Sequence, residues 1–184
     1  TVSALSSCPS IVRIEVEGAD GCGLEDSALA DVTVLDPIAP VVVTQATGGE
    51  VGPTCTYELP FSAVITDNCA LDPSDVVVVV TNPSNNATVD TPQWVTAQPL
   101  PGRLEVTGTV LISDLTSCPA DILVDIGIAD QCSNAGNDTT EVEVVDVTPP
   151  EIAVTLNREY LWPPNHKLVD IVAEVTVTDI CPNP

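Results

Sequence analysis

"CTYELPFSAVITDNC", residues 55–69, sets two cysteines at the two ends of a run that reads as one strand. The chain repeats the device. Cys8 and Cys22 bracket "PSIVRIEVEGADG", and Cys118 and Cys132 bracket "PADILVDIGIADQ". A seventh cysteine, Cys181, closes "VDIVAEVTVTDIC", with Lys167 where the first bracket would stand. At about 3.3 Å per step such a segment spans roughly 46 Å, whereas a disulfide needs its Cα atoms within about 7 Å. If each segment is one strand, its two cysteines bond to partners at their own ends of it. Local pairing, Cys55–Cys69 and Cys118–Cys132, needs a sharp hairpin inside each segment. Pro60 offers a start for one in the first segment; only Gly127 favours one in the second.

The alternation of side chains supports strands. Val12, Ile14 and Val16 alternate with Arg13, Glu15 and Glu17; Ile122, Val124, Ile126 and Ile128 alternate with Leu123, Asp125 and Gly127. Val142 and Val144, then Val175 and Val177, follow the same period of two, which marks half-buried strands. Pro and Gly punctuate the rest in "DPIAP", "GGEVGP", "NPSNNATVDTP", "QPLPG", "TPP" and "WPPN". No stretch offers ten residues of helical period without a breaker, so the expected fold is all-β.

Twenty-seven acids against four bases give a net charge of −23. Phosphates would be repelled, which argues against nucleic acid and anionic membranes as partners. The acids alternate with valines, and 44% hydrophobic residues suffice for a core, so the charge does not imply disorder. The longest apolar run, Val76–Val80, is too short to span a bilayer. With no Met and one Phe, the core must be Val, Ile, Leu and Ala, and staples would help it. Seven cysteines with no CxxC and a single histidine read as disulfides rather than zinc, which implies an oxidising compartment. The start at Thr1 reads as a processed protein or a piece of a longer one.

The chain also repeats itself. A shift of 110 lays "SALSSCPSIVRIEVEGADGC" (3–22) on "SDLTSCPADILVDIGIADQC" (113–132), and "VLDPIAP" on "VVDVTPP". "VITDNC" (64–69) matches "VTVTDIC" (175–181) after a two-residue insertion. The expected units are 1–36, the last third of one repeat; 37–146, a complete repeat; and 147–184, the first third of another.

These repeats resemble the tandem immunoglobulin-like repeats of bacterial surface proteins, close to the hyalin-repeat (HYR) group. The resemblance rests on "DVTPP" at Asp146–Pro150, "TDNC" at Thr66–Cys69, "ADQCSNAGN" at Ala129–Asn137 and "LWPPNHKLVDI" at Leu161–Ile171. It implies immunoglobulin-like β-sandwiches in tandem, the terminal ones incomplete, and a structural or adhesive role with no known catalytic residues. With 55–69 as strand B and 118–132 as strand F running the same way in facing sheets, the resemblance implies Cys55–Cys118 and Cys69–Cys132. Cys8, Cys22 and Cys181 then belong to strands whose partners lie in missing chain or in another molecule. If the ends of successive molecules complete each other, Cys181 meets Cys22 of a neighbour.

Several residue groups are candidate sites. "TDNCALDPSD" offers Asp67, Asn68, Asp72 and Asp75; "ADQCSNAGND" offers Asp130, Asn134, Asn137 and Asp138. Their oxygens suit calcium, and equally suit capping of their own turns. Asp36 and Asp146, at unit boundaries, are candidates for a cation clamp between units. His166 has no second histidine or nucleophile beside it and reads as part of a rigid turn. Trp94 and Trp162 read as loop packing, with sugar stacking as the other use. Asn86 in "NAT" and Asn137 in "NDT" fit the N-glycosylation pattern.

The sequence thus points to a non-enzymatic segment of an extracellular bacterial fibre, filament or adhesin stalk. It would self-associate or continue in a longer tandem chain, with no cofactor other than calcium. A carbohydrate-binding adhesive module and an accessory repeat of a larger secreted hydrolase are the alternatives.

Overall fold

The computed structural model describes residues 8–162 and 166–181. Pro163–Asn165, which the sequence reads as a rigid turn within "LWPPNHK", lies outside the described residues. Among the described residues there are thirteen strands and no α-helix, and their only helical element is a 3-10 turn at Pro73–Asp75. The all-β expectation holds, and among the described residues no helix is long and apolar enough to cross a membrane.

The middle of the chain is a two-sheet sandwich. One sheet holds β3 (Val41–Ala46), β5 (Thr56–Thr66) and β9 (Arg103–Ser113) in that order, with β7 (Thr88–Val89) and β8 (Gln93–Leu100) both on the far side of β9. The other runs β4 (Gly49–Glu50), β11 (Ala135–Val145), β10 (Ala120–Ala129) and β6 (Val77–Thr81). All pairs are antiparallel except β4 with β11. Period two does the sorting. Ala120, Ile122, Val124, Ile126 and Ile128 of β10 face inward, against Leu59, Phe61, Ala63 and Ile65 of β5 and Leu104, Val106, Val110 and Ile112 of β9. Phe61 is the lone phenylalanine and sits in this core, so branched aliphatic side chains supply most of its buried area. Thr44 joins the sheets at one edge: its N–H donates to Asp138 Oδ2 (2.7 Å), and its carbonyl accepts from Thr140 Oγ1 (3.0 Å).

Two hairpins flank the sandwich. β1 (Ser10–Ala19) pairs β2 (Glu25–Val34), and β12 (Glu151–Leu156) pairs β13 (Ala173–Thr178). Their registers copy the sandwich. Ser10 faces Val34 as Ala120 faces Val144, and Ala19 faces Glu25 as Ala129 faces Ala135, a constant shift of 110. Glu151 faces Thr178 as Val41 faces Thr66, and Leu156 faces Ala173 as Ala46 faces Phe61. The two-residue insertion therefore falls between β12 and β13. The hairpins differ from their counterparts in exposure. Ile14 and Val16, Val175 and Val177 face solvent, while the equivalent Val124, Ile126, Ala63 and Ile65 are buried.

Candidate functional site: two disulfide joints

The disulfides lie where the hairpins meet the sandwich. Cys8 bonds Cys132, and Cys55 bonds Cys181, each with Cα atoms 4.9 Å apart. The expected Cys55–Cys118 and Cys69–Cys132 bonds are absent, and Cys8 and Cys181 find partners within the chain rather than outside it. The local pairing is absent too. The premise of parallel B and F segments survives: Cys69 and Cys132 line one small cavity, and Cys118 and Cys181 line another. What the expectation missed is the neighbour. All of these cysteines stand outside the strands, in the end turns, within reach of the adjoining hairpin, and Cys55 and Cys181 also belong to the buried core. There Cys8 reaches Cys132 first, and Cys181, buried at the other end, reaches Cys55. Cys22, Cys69 and Cys118 are outside any disulfide.

A local device presents these cysteines. Four of them follow an aspartate by two: Asp20–Cys22, Asp67–Cys69, Asp130–Cys132 and Asp179–Cys181. In three the carboxylate accepts the N–H of its cysteine, at 2.8 Å for Cys22, 3.1 Å for Cys69 and 2.8 Å for Cys132; Asp179 accepts instead from Ile180, at 2.7 Å. The first three are Asx turns, in which the short acid substitutes for a backbone acceptor. They fix the sulfur at the strand end.

The calcium candidates separate. Asp36, Asp67, Asn68, Asp130 and Asn134 come together at the Cys8–Cys132 joint. Asn68 donates to Asp36 Oδ2 (3.0 Å), and Asn134 Nδ2 donates to Asp130 Oδ2 (2.7 Å) and to the Asp36 carbonyl (2.8 Å). The others lie apart: Asp72 caps the 3-10 turn through Ser74, Asp75 is exposed, Asn137 donates to Asp125, and Asp138 accepts from Thr44. Asp146 sits at the second joint, where it accepts from Thr148 N (2.8 Å) as Asp36 does from Ile38 N (3.0 Å). Among the described residues the ligand atoms of Asp36, Asp67 and Cys69 lie within 4.8 Å of one another. These acids already accept from protein donors: Asp36 from Ile38 N and Asn68, Asp67 from Cys69 N, and Asp130 from Cys132 N and Asn134 N. The cluster serves the turns.

Electrostatics distinguish its two acids. The Cys69 thiol, the Ile38 N–H and Asn68 hold the Asp36 carboxyl below the ordinary value. Burial pushes Asp67 upward, against the backbone N–H groups of Cys69 and Asn68, and the charges of Asp36 and Asp130 push it the same way. Asp67 Oδ1 is buried with no hydrogen-bond partner. A raised folded pKa means that the stability due to Asp67 is full below its unfolded value, about 3.9. It is lost as pH rises through the folded value. Asp67→Asn is therefore expected to raise the unfolding free energy at neutral pH by a few tenths to about 1 kcal/mol, because water at the rim screens part of the effect, and with it the melting temperature. The gain disappears at acid pH. Thermal melts at both pH values check this; an unchanged or lower melting temperature at neutral pH contradicts it.

The remaining candidates are scattered. Asn86 is buried, and its Nδ2 donates to the Ser117 carbonyl (3.0 Å), Ser117 Oγ (3.0 Å) and the Pro119 carbonyl (2.8 Å). In the fold it is a strut that holds the turn carrying Cys118, not an accessible glycan acceptor. Asn86→Ala is expected to cost roughly 1–3 kcal/mol, read by urea unfolding; a change within error contradicts the strut. The Asn137 side chain is exposed. Trp94 stands exposed on β8, Trp162 is exposed after β12, and His166 is exposed with φ 57°. The two tryptophans and the histidine sit on separate segments.

Gly102 supports the first joint from beneath. Its φ is +74°, and a Cβ there would stand 2.6 Å from the Asp67 carbonyl oxygen and 2.7 Å from that of Cys69. The tight turn between β8 and β9 thus accepts only glycine where it passes under the cysteine turn. The sequence reading found the cysteine brackets but not the joints; the recurring D-x-C was the available signal. No protein-family model matches the chain, and no curated protein shows significant similarity to it.

Proposed function

We propose that this chain is a load-bearing segment of an extracellular fibre, filament or adhesin stalk, built from immunoglobulin-like units in series, and that it performs no catalysis. The observation that carries the reading is the placement of the disulfides. One ties the N-terminal hairpin to the end of β10, and the other ties the start of β5 to the C-terminal hairpin. Disulfides belong to oxidising, non-cytoplasmic compartments. The sheet orders β3-β5-β9-β7 and β6-β10-β11 match the ABED and CFG sheets of immunoglobulin constant-type domains. The copied hairpin registers support further units of the same kind, and the likeness to bacterial surface repeats supports a place at the cell surface. Calcium has no part in this reading.

The bonds define the load path. Tension entering at Cys8 is shared through the Cys8–Cys132 bond, reaches the Cys55–Cys181 bond by way of the sandwich and the flanking chain, and leaves by Cys181. The two bonds are then bridged by three runs of chain in parallel, 8–55, 55–132 and 132–181, and the shortest, about 47 peptide steps, caps the extension at roughly 170 Å. With both bonds reduced, the chain from Cys8 to Cys181 can reach roughly 620 Å. Force spectroscopy on the single chain tests this. The oxidised protein is expected to rupture as one sandwich with extension capped near the shorter length. Low-force unravelling to the longer length under oxidising conditions would refute the load-bearing reading.

A further inference from the structure

The first joint shows a finished connection; the second shows the same connection half made. At the first, the Asp130–Asn134 turn carries Cys132 against Cys8. The cavity left among Cys8, Asp36, Cys69, Asp130 and Cys132 is about 10 Å³. At the second, the repeat places Cys118 for Cys8, Asp146 for Asp36 and Cys181 for Cys69, but no turn arrives. The cavity there, lined by Ser117, Cys118, Asp146, Thr148, Asp179 and Cys181, is about 180 Å³. The receiving groups are in place. The Asp146 N–H donates to Cys118 Sγ (3.2 Å); in the finished disulfide the Asp36 N–H donates to the other sulfur, Cys132 Sγ (3.4 Å), so the aspartate N–H contacts the cysteine pair in both joints.

The missing piece exists at the other end of the same chain. Asp20–Leu24 repeats the turn of Asp130–Asn134, although Leu24 lacks the side-chain amide with which Asn134 also donates to Asp130 Oδ2 and the Asp36 carbonyl. Asp20 Oδ1 accepts from Cys22 N (2.8 Å) and Leu24 N (3.0 Å); Asp130 Oδ1 accepts from Cys132 N and Asn134 N (both 2.8 Å). Asp20 N–H donates to the Leu24 carbonyl as Asp130 N–H does to that of Asn134, and Gly23 and Ser133 both take positive φ. Cys22 and Cys118 are both exposed and outside any disulfide.

We propose that the Asp20–Leu24 turn of a second copy of this chain fills the cavity beside Cys118, and that Cys22 of that copy bonds Cys118. The bond repeats Cys8–Cys132 across a joint between copies. This deepens the stalk reading and rests on it. The docking sets β1–β2 of one copy against β12–β13 of the other, bringing together the exposed counterparts of faces that the sandwich buries. It also corrects the sequence-based pairing of Cys22 with Cys181, since Cys181 is taken by Cys55. Forming the bond joins the two Sγ atoms; the two thiol protons and two electrons pass to a disulfide oxidant, which leaves as two thiols.

The test uses the full chain, with its internal disulfides formed, in oxidised glutathione. Salt at about 0.15 M or above screens repulsion between the acidic copies. Wild type is expected to give a ladder on non-reducing gels, with Cys22–Cys118 as the mapped link. Cys22→Ser alone and Cys118→Ser alone lose the ladder and stay monomeric; mixed, they stop at a dimer carrying the same link. The proposal is overturned if the mixture forms no dimer, if either variant alone dimerises as well as the mixture, or if the link maps elsewhere. A digest lacking Cys8–Cys132 overturns it too, since the joint being copied would not exist. The force experiment reads single chains, so its outcome and this one fail separately.

Discussion

Cys55→Ser is expected to lower the unfolding free energy by up to about 5 kcal/mol. The Cys55–Cys181 bond spans 126 residues of sequence. On the chain-entropy account, a loop of that size removes about 5 kcal/mol worth of freedom from the unfolded chain. The loop contains every strand of the β4-β11-β10-β6 sheet except β4, so the loss falls on the sandwich itself. It also frees β12–β13, whose apolar residues are already exposed. Cys132→Ser should behave alike, because its bond spans 124 residues. Urea unfolding of the oxidised proteins gives the magnitude, and limited proteolysis should show cleavage of the released hairpin before the sandwich opens. A loss below about 1 kcal/mol in both variants would mean that the joints do not constrain the chain.

A matched pair of core substitutions should separate just as widely. Ile126 is fully buried on β10, and its repeat counterpart Val16 on β1 is 63% exposed. Ile126→Ala should cost about 2–5 kcal/mol, as transfer and cavity terms add. Val16→Ala in the isolated chain should change stability by less than about 0.5 kcal/mol. Chemical unfolding of both variants reads the difference. In chains linked through Cys22 and Cys118, Val16→Ala should become costly, because β1 then gains a facing sheet. Equal effects in the isolated chain would contradict the exposure of the terminal hairpins.

Much of this fold could be read from the residues. Period-two alternation placed β1, β10, β11 and β13, and the shift of 110 anticipated the shared register of β1–β2 and β10–β11, because side-chain period and ladder register are tied. β8 was not legible. Pro99 lies within it, in a stretch read as the turn "QPLPG", and β8 shifts register against β9 there, between Ala97 and Leu100. The cysteine positions along each strand were legible, but their partners were not. Alternation reports which face of a sheet a residue occupies; it says nothing of how the next unit turns against the strand ends, and that packing chose Cys8 over Cys69 as the partner of Cys132. The acid cluster at the first joint was half legible. The two acidic turns do meet, but Asp72, Asp75, Asn137 and Asp138 are drawn to nearer backbone and side-chain partners.

Mapping of the disulfides in the native protein, after blocking of thiols and digestion without reductant, tests the joint architecture most directly. Peptides linking Cys8 to Cys132 and Cys55 to Cys181 are the predicted result. Recovery of Cys55–Cys118 and Cys69–Cys132 would place both bonds inside the sandwich and contradict the account.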